Sequence, residues 1–360
     1  MAAVAAHGPA ASSSSSTFPP RPSNLLTIFQ AHFHTRRGNE LTFQSGHDLD
    51  LAGVEWKVLP SGSHALSSDL LWFTLPDTAE GEGHGYDKVG VACFRNRKLT
   101  GSAEEEADAE TEQSGGGTDA NQQEARRLDE RGARMTAVGV IIASQSSIPS
   151  HQLAAVLPHL EALSLLADAS SLQPRNHSVL KNFLESHRFN TASSAACFPS
   201  LHVRSPAPLT RWPESIYDPL LDLPSIVNAL GLILPDVLRS LLVSGTRLLL
   251  FSPQGVETRS AASIAWTLAE IVEAALTIAD ENEERDEEAA LSPKLQRLHQ
   301  HIPQVRGIIG LHEISHLQDE EARKKQAATM SGVRPKRGWI AWTTDKLTRC
   351  DRAVRLRRLS

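Results

Sequence analysis

LLVSGTRLLLFSPQGVETRSAASIAWTLAEIVEAA, residues Leu241 to Ala275, decides how the rest of the chain is read. An apolar block ends at Gly245, an apolar run follows from Thr246 to Phe251, and Ser252, Pro253 and Gly255 break it. The order is helix end, strand, loop. From Ser260 onward, Ala261, Ile264, Ala265, Leu268, Ile271, Val272 and Ala275 recur at helical spacing, with Ser260 as N-cap and Glu270 and Glu273 on the opposite face. A strand feeding a helix in this way predicts a mixed α/β layer. A strand as apolar as Leu248–Leu250 is stable when both faces are covered, so Leu249 is expected at the centre of a sheet, with the Ile264 and Leu268 face packed back onto it.

Upstream, strand-like runs come first, at residues 26–33, 41–44, 70–75, 89–94 and 136–143, which predicts an antiparallel sheet. His32 and His34 share one face of the first run by alternation, yet no third ligand is nearby, and a solvated sheet face is the simpler reading. HDLDLAGVEWKVLPSGSHALSSDLLWFTL, from His47, holds an amphipathic piece with Val54, Trp56 and Val58, a Pro-Ser-Gly loop and the strand ending at Leu75. Helices follow. His151 to Ala169 places Leu153, Val156, Leu157, Leu160, Leu163 and Leu166 on one face, with a kink expected at Pro158. HSVLKNFLESHRF repeats the pattern, and LPSIVNALGLILPDVLRSLLVSG reads as one long helix or two abutting ones, with Pro235 in the first turn of the second.

The 360 residues, 40% of them hydrophobic, are enough for two cores, and polar stretches divide the chain accordingly. Residues 1–23 are mostly Ala, Ser and Pro with almost nothing to bury and are expected to be disordered; 24–190 form the first domain, with a solvated acidic and Gly-rich insertion at 99–130. A Ser, Ala and Pro-rich linker covers 191–213, and a second domain covers 214–348 with flexible loops at 280–293 and 318–337. The last twelve residues, 349–360, are a basic tail.

The three cysteines, Cys93, Cys197 and Cys350, are odd in number and far apart, which argues against a disulfide framework. No apolar run reads as membrane-spanning and the N-terminus lacks the basic start and apolar core of a signal peptide, so a cytoplasmic location is expected. The net charge of −6 bears on solubility only. Arg352, Arg355, Arg357 and Arg358 could favour anionic lipid or nucleic acid, but a solvated tail is the plainer reading; peripheral membrane contact is retained as an expectation and a nucleic-acid partner is not.

LDLAGVEWKVLPSGSH, the interrupted pair VGVACF and ERGARMTAVGVI, and RLLLFSP with its following helix together resemble a DENN-type protein of the LCHN kind, in its fungal branch. The resemblance runs from about Leu25 to Asp345 and is carried by the order and spacing of apolar scaffold. It implies a two-part fold, an upstream longin-like antiparallel sheet with helices and then an α/β core, and nucleotide exchange on a Rab-type small GTPase in vesicle traffic. In that family the chain continues past the Thr-Thr-Asp element, whereas this one ends in RCDRAVRLRRLS. No cofactor and no catalytic constellation are expected, because an exchange factor acts by binding the nucleotide-free GTPase better than the bound forms.

Two other chemistries compete. Some longin-and-DENN relatives are GTPase-activating proteins that supply an arginine to the transferring phosphoryl group, and here the candidates are Arg95, Arg97, Arg131 and Arg134, which flank the insertion. His312, Glu313 and His316 match H-E-x-x-H, which on a helix sets two imidazoles against zinc with the Glu as general base. A zincin needs a third ligand. Beyond Glu321 the chain holds no His and no Glu, only Asp345 and Asp351. The alternative is a strand from Gly307 to Ile314, in which these residues are ordinary.

Overall fold

The longest uninterrupted pairing in the molecule joins two twelve-residue strands, β4 (Asp87–Lys98) and β5 (Ala133–Ser144), antiparallel and in register from Asp87↔Ser144 to Lys98↔Ala133. The computed structural model describes residues 23–75, 87–98, 133–144, 148–189, 219–244, 246–283, 301–310, 313 and 338–345. The terminal segment 1–22, the insertion 99–130, the linker 191–213, the loop at 318–337 and the tail 349–360 lie outside the described residues.

On one side β5 pairs with β1 (Leu25–His34), which pairs with β2 (Gly38–Gly46); on the other, β4 pairs with β3 (Ser68–Thr74). All of these pairs are antiparallel, as the alternating runs predict. Beyond β3 the sheet changes character. β7 (Gln304–Ile308) meets β3 antiparallel at one register pair, Phe73↔Gly307, and then β7, β8 (Trp339–Thr343) and β6 (Arg247–Phe251) run parallel. The result is one eight-stranded mixed sheet, ordered β2-β1-β5-β4-β3-β7-β8-β6. The fold is α/β, with the antiparallel part first. The stretches on either side of residues 191–213 contribute to the same sheet and to one contiguous apolar core, so the division lies along the chain and not in the hydrophobic layer.

Two expectations about strand position are reversed. β6 is an edge strand: Leu248 and Leu250 are buried, Leu249 only partly, and Phe251 is exposed. β8, whose short aromatic run in GWIAWTTDKL reads from the sequence as the strand that closes the sheet, lies between β7 and β6 with Ile340, Ala341 and Trp342 fully buried. An interior parallel strand must be apolar on both faces, and Trp-Ile-Ala-Trp meets that condition in a shorter and less obvious run than Leu-Leu-Leu-Phe.

Helices roof the sheet. α1 (Val54–Val58) is a short turn of helix with Val54 and Val58 buried and Trp56 exposed. α2 (Pro149–Leu172) packs on β4 and β5 and runs on through Pro158, which is itself buried. α3 (Ser178–His187) lies against β1 and β2. α4 (Leu223–Leu230) and α5 (Leu234–Ser244) are two abutting helices joined by a 3-10 turn at Gly231–Ile233, with Pro235 in the first turn of the second. α6 (Arg259–Glu283) packs on β3, β6, β7 and β8 through Ile264, Leu268 and Val272, and also touches α2.

The helix start differs from expectation. The carbonyl of Thr258 already accepts from the Ala262 amide at 2.9 Å, so Thr258 occupies the cap position and Ser260 lies inside α6. Among the described residues two stretches, Pro149–Leu172 and Leu223–Leu242, are long and apolar enough to cross a bilayer, contrary to the reading of the sequence. The first spends its apolar face on β4 and β5; the second is interrupted at Gly231.

Candidate functional site

Strands β1, β4, β7 and β8 all end at the same border of the sheet, beside the loop after α1, with the insertion following β4 and a further segment following β7. A cavity of about 580 Å³ opens at this border, walled by Phe33, Trp56, Pro60, Met135, Ile309 and Thr344 among others. Ligands of α/β sheets bind outside the carboxyl ends of the strands because helices and loops there leave a crevice, and this cavity occupies that position for β7 and β8. Its rim joins the early and late parts of the chain. Gly62, at φ 87°, lets the loop after α1 lie so close to the loop after β6 that a Cβ there would stand 2.7 Å from the Cβ of Gln254.

A buried ion pair holds this corner. Lys57 Nζ stands 2.6 Å from Glu313 Oε1 and donates to the Thr74 carbonyl at 3.1 Å, while Glu313 Oε2 accepts from the Gly310 amide at 3.0 Å. Lys57 is one turn from Val54 and next to Val58, on the buried face of α1, so its stem packs while its charge needs a partner. Both oxygens of Glu313 are therefore engaged in holding the chain that leaves β7 against α1. The strand expected from Gly307 to Ile314 begins and ends earlier, at Gln304 and Ile308, because Gly307 lies opposite Phe73 and the chain turns at Gly310. His312 and His316 lie outside the described residues. Among the described residues no cluster of three or more His, Cys, Asp or Glu side chains stands at metal-binding range. His34 serves its own turn: its Nδ1 accepts from the amides of Arg36 and Arg37 at 3.1 and 3.3 Å.

The arginines are brought together as their spacing requires. Arg95 and Arg97 alternate along β4, and Arg134 lies opposite Arg97 in register. Arg131 lies outside the described residues. Arg95 and Arg134 share a neighbour in α2. Arg95 Nε is paired with Asp168, Arg95 Nη2 donates to Ser164 Oγ at 2.6 Å, and Arg134 Nη1 reaches the Ser171 carbonyl at 3.4 Å. α2 has no basic residue in its last turn, and these guanidinium groups from the sheet supply the positive charge that its carboxyl end favours. The geometry assigns Arg95 to fastening the helix.

Two more carboxylates tie the elements around the site: Asp69, which the sequence reading passed over, and Glu273, which it set on the face of its helix opposite the apolar one. Asp69 accepts from the Leu70 amide at 2.8 Å and from the Thr258 amide, at the start of α6, at 2.9 Å. Burial pushes its pKa up to about 6, against the pull of the Thr258 and Leu70 hydrogen bonds. Glu273 of α6 accepts from the Ser150 amide at 3.1 Å and from the Ser150 hydroxyl, capping α2; burial raises its pKa as well. The signals were a lone Asp heading an otherwise apolar strand and a lysine on the apolar face of a helix.

The family profile of DENN domain-containing protein 11 matches residues 28–353. The chain belongs to this DENN family. Curated relatives include DENN domain-containing protein 11 of Danio rerio, 30% identical over 32% of this chain and 16% of that protein. The Xenopus laevis protein of the same name is 26% identical over 53% of this chain and 34% of that protein. The chain thus spans between about a sixth and a third of the length of the curated relatives it matches. No solved structure matches it significantly.

Proposed function

We propose that this DENN chain regulates a Rab-family small GTPase, as a guanine-nucleotide exchange factor in vesicle or membrane traffic, and that it belongs to the fungal LCHN branch. Membership of the DENN family over residues 28–353 is the observation that carries the reading, since DENN proteins generally act on Rab GTPases. An exchange factor needs a surface that prefers the nucleotide-free GTPase to its loaded forms, and that preference alone speeds nucleotide release. The cavity at the strand ends, with Trp56 exposed on its rim, is the surface we assign to partner contact, and we place the protein in the cytoplasm with its basic tail 349–360 against a membrane.

The competing reading, an activating protein with an arginine supplied to phosphoryl transfer, has Arg95, Arg97, Arg131 and Arg134 as its candidates, and of these the Arg95 guanidinium is held by Asp168 and Ser164. Release of fluorescent GDP from a panel of purified Rab proteins, followed with and without the chain, tests the proposal. Acceleration for one Rab or a few is the expected result. No acceleration with any Rab, accompanied by faster single-turnover GTP hydrolysis, would replace it with the activating reading.

A further inference from the structure

The seam between the antiparallel and parallel parts of the sheet is the least paired boundary in it. β3 and β4 share seven register pairs from Ser68↔Arg95 to Thr74↔Val89, whereas β3 and β7 share one, Phe73↔Gly307. β7 is irregular at that point, with a register shift against β8 between Val305 and Gly307 and a φ of 78° at Gly307. What closes the seam besides packing is polar. Thr74 Oγ1 donates to the Arg306 carbonyl at 3.2 Å, and Asp69 at the head of β3 holds the Thr258 amide at the start of α6, the helix that roofs β7 and β8.

We propose that Asp69 is a proton-operated latch on this seam, with protonation holding the parallel part of the sheet against β3 and ionisation favouring local opening between them. The hydrogen bonds around Asp69 can be arranged in two ways. Thr258 Oγ1 lies 3.4 Å from the Leu70 carbonyl, and Asp69 Oδ2 accepts from the amide of the same threonine at 2.9 Å, which sets the hydroxyl beside the carboxyl. With Asp69 protonated, its O–H donates to Thr258 Oγ1, whose own proton goes to the Leu70 carbonyl. With Asp69 ionised, the Thr258 hydroxyl turns to the carboxylate and the Leu70 carbonyl loses that donor. Both side chains are buried, so the ionised form keeps a charge away from water that only opening can hydrate.

Few charges nearby offset it. Glu257, on the loop into α6, repels it, and Arg259 follows in the first turn of that helix. On β4, Phe94 lies opposite Asp69 and Cys93 beside it, the latter with a thiol pushed up to about 12 and hence neutral. Arg95 comes next and is engaged by Asp168 of α2. The proposal goes beyond the GTPase reading and does not depend on it.

Hydrogen exchange of the full chain at pH 5 and pH 7, corrected for intrinsic exchange rates, tests it. Opening hydrates Asp69 and returns it to its ordinary value near 3.8, so peptides covering β3, β7 and the start of α6 should open about tenfold more often at pH 7 than at pH 5. Peptides from β1 and β5 should show no such change. Asp69→Asn should abolish the difference and Glu273→Gln should keep it. Should Asp69→Asn not fold, Thr258→Val decides: removing a donor from the carboxylate enlarges the pH effect. Equal opening at both pH values in the wild type, a change shared by β1 and β5, or a pH effect untouched by either Asp69→Asn or Thr258→Val would overturn the proposal.

Discussion

Lys57 and Glu313 form the kind of contact whose two members cannot be altered separately at low cost. With Lys57 almost wholly out of solvent, Glu313→Gln leaves an ammonium facing a neutral amide and should destabilise the chain by roughly 2–4 kcal/mol, read from the urea midpoint at constant m-value. A zincin would respond otherwise: Glu313→Gln would remove a hydrolytic activity and leave stability nearly intact, while about one zinc per chain would be present and lost on His316→Ala. We expect no stoichiometric zinc by elemental analysis and a His316→Ala protein as stable as the wild type. Asp69 makes a second residue-level prediction, with a sign that can be worked through. Its folded pKa of about 6 exceeds the ordinary 3.8, so the folded state holds the extra proton in that window. The stability it contributes is full below about pH 4 and is lost as pH rises through 6. Between those limits the wild type should lose on the order of 2–3 kcal/mol relative to Asp69→Asn, measured by urea unfolding across the series.

At the level of elements, the two parallel strands that changed places show what a sequence pattern does and does not carry. Leu248 to Phe251 is more apolar than Trp339 to Trp342, and apolar content is all that a local reading can weigh. Which strand has neighbours on both sides is fixed by contacts from far along the chain, and nothing within five residues encodes it. The antiparallel strands were legible because each pairs with a near neighbour and alternates or fills its faces in a period of two. The start of α6 was misread for the same reason as β6, since the group that meets its first amides, Asp69, belongs to another element. A carboxylate at Leu250 should abolish soluble folding, whereas Leu249→Asp, half-buried on an edge strand, should still give soluble protein with reduced stability. Equal loss of soluble yield from the two variants would show that the outer side of β6 is covered.

For the molecule as a whole, the register of β4 with β5 bears on the insertion. Lys98 pairs with Ala133, so the two strand ends already stand side by side, and a two-residue turn could connect them. Replacing residues 99–132 by such a turn should leave the melting temperature within about 3 °C, by differential scanning calorimetry, because closing a shorter loop changes the entropy only slightly. The sequence showed the arginines and the Glu313 motif but not the cavity, since it is lined from β1, α1, β5, β7 and the residues after β8. The β3–β7 seam has a further consequence, for synthesis. β3 is complete by residue 74, but the strand that covers its edge is not translated until residues 304–308, and in between the first five strands can already assemble. At ordinary elongation rates the edge of β3 then waits on the order of ten seconds or more on the ribosome with its backbone unpaired, which makes it the place where a chaperone, or an aggregate, would take hold of the nascent protein.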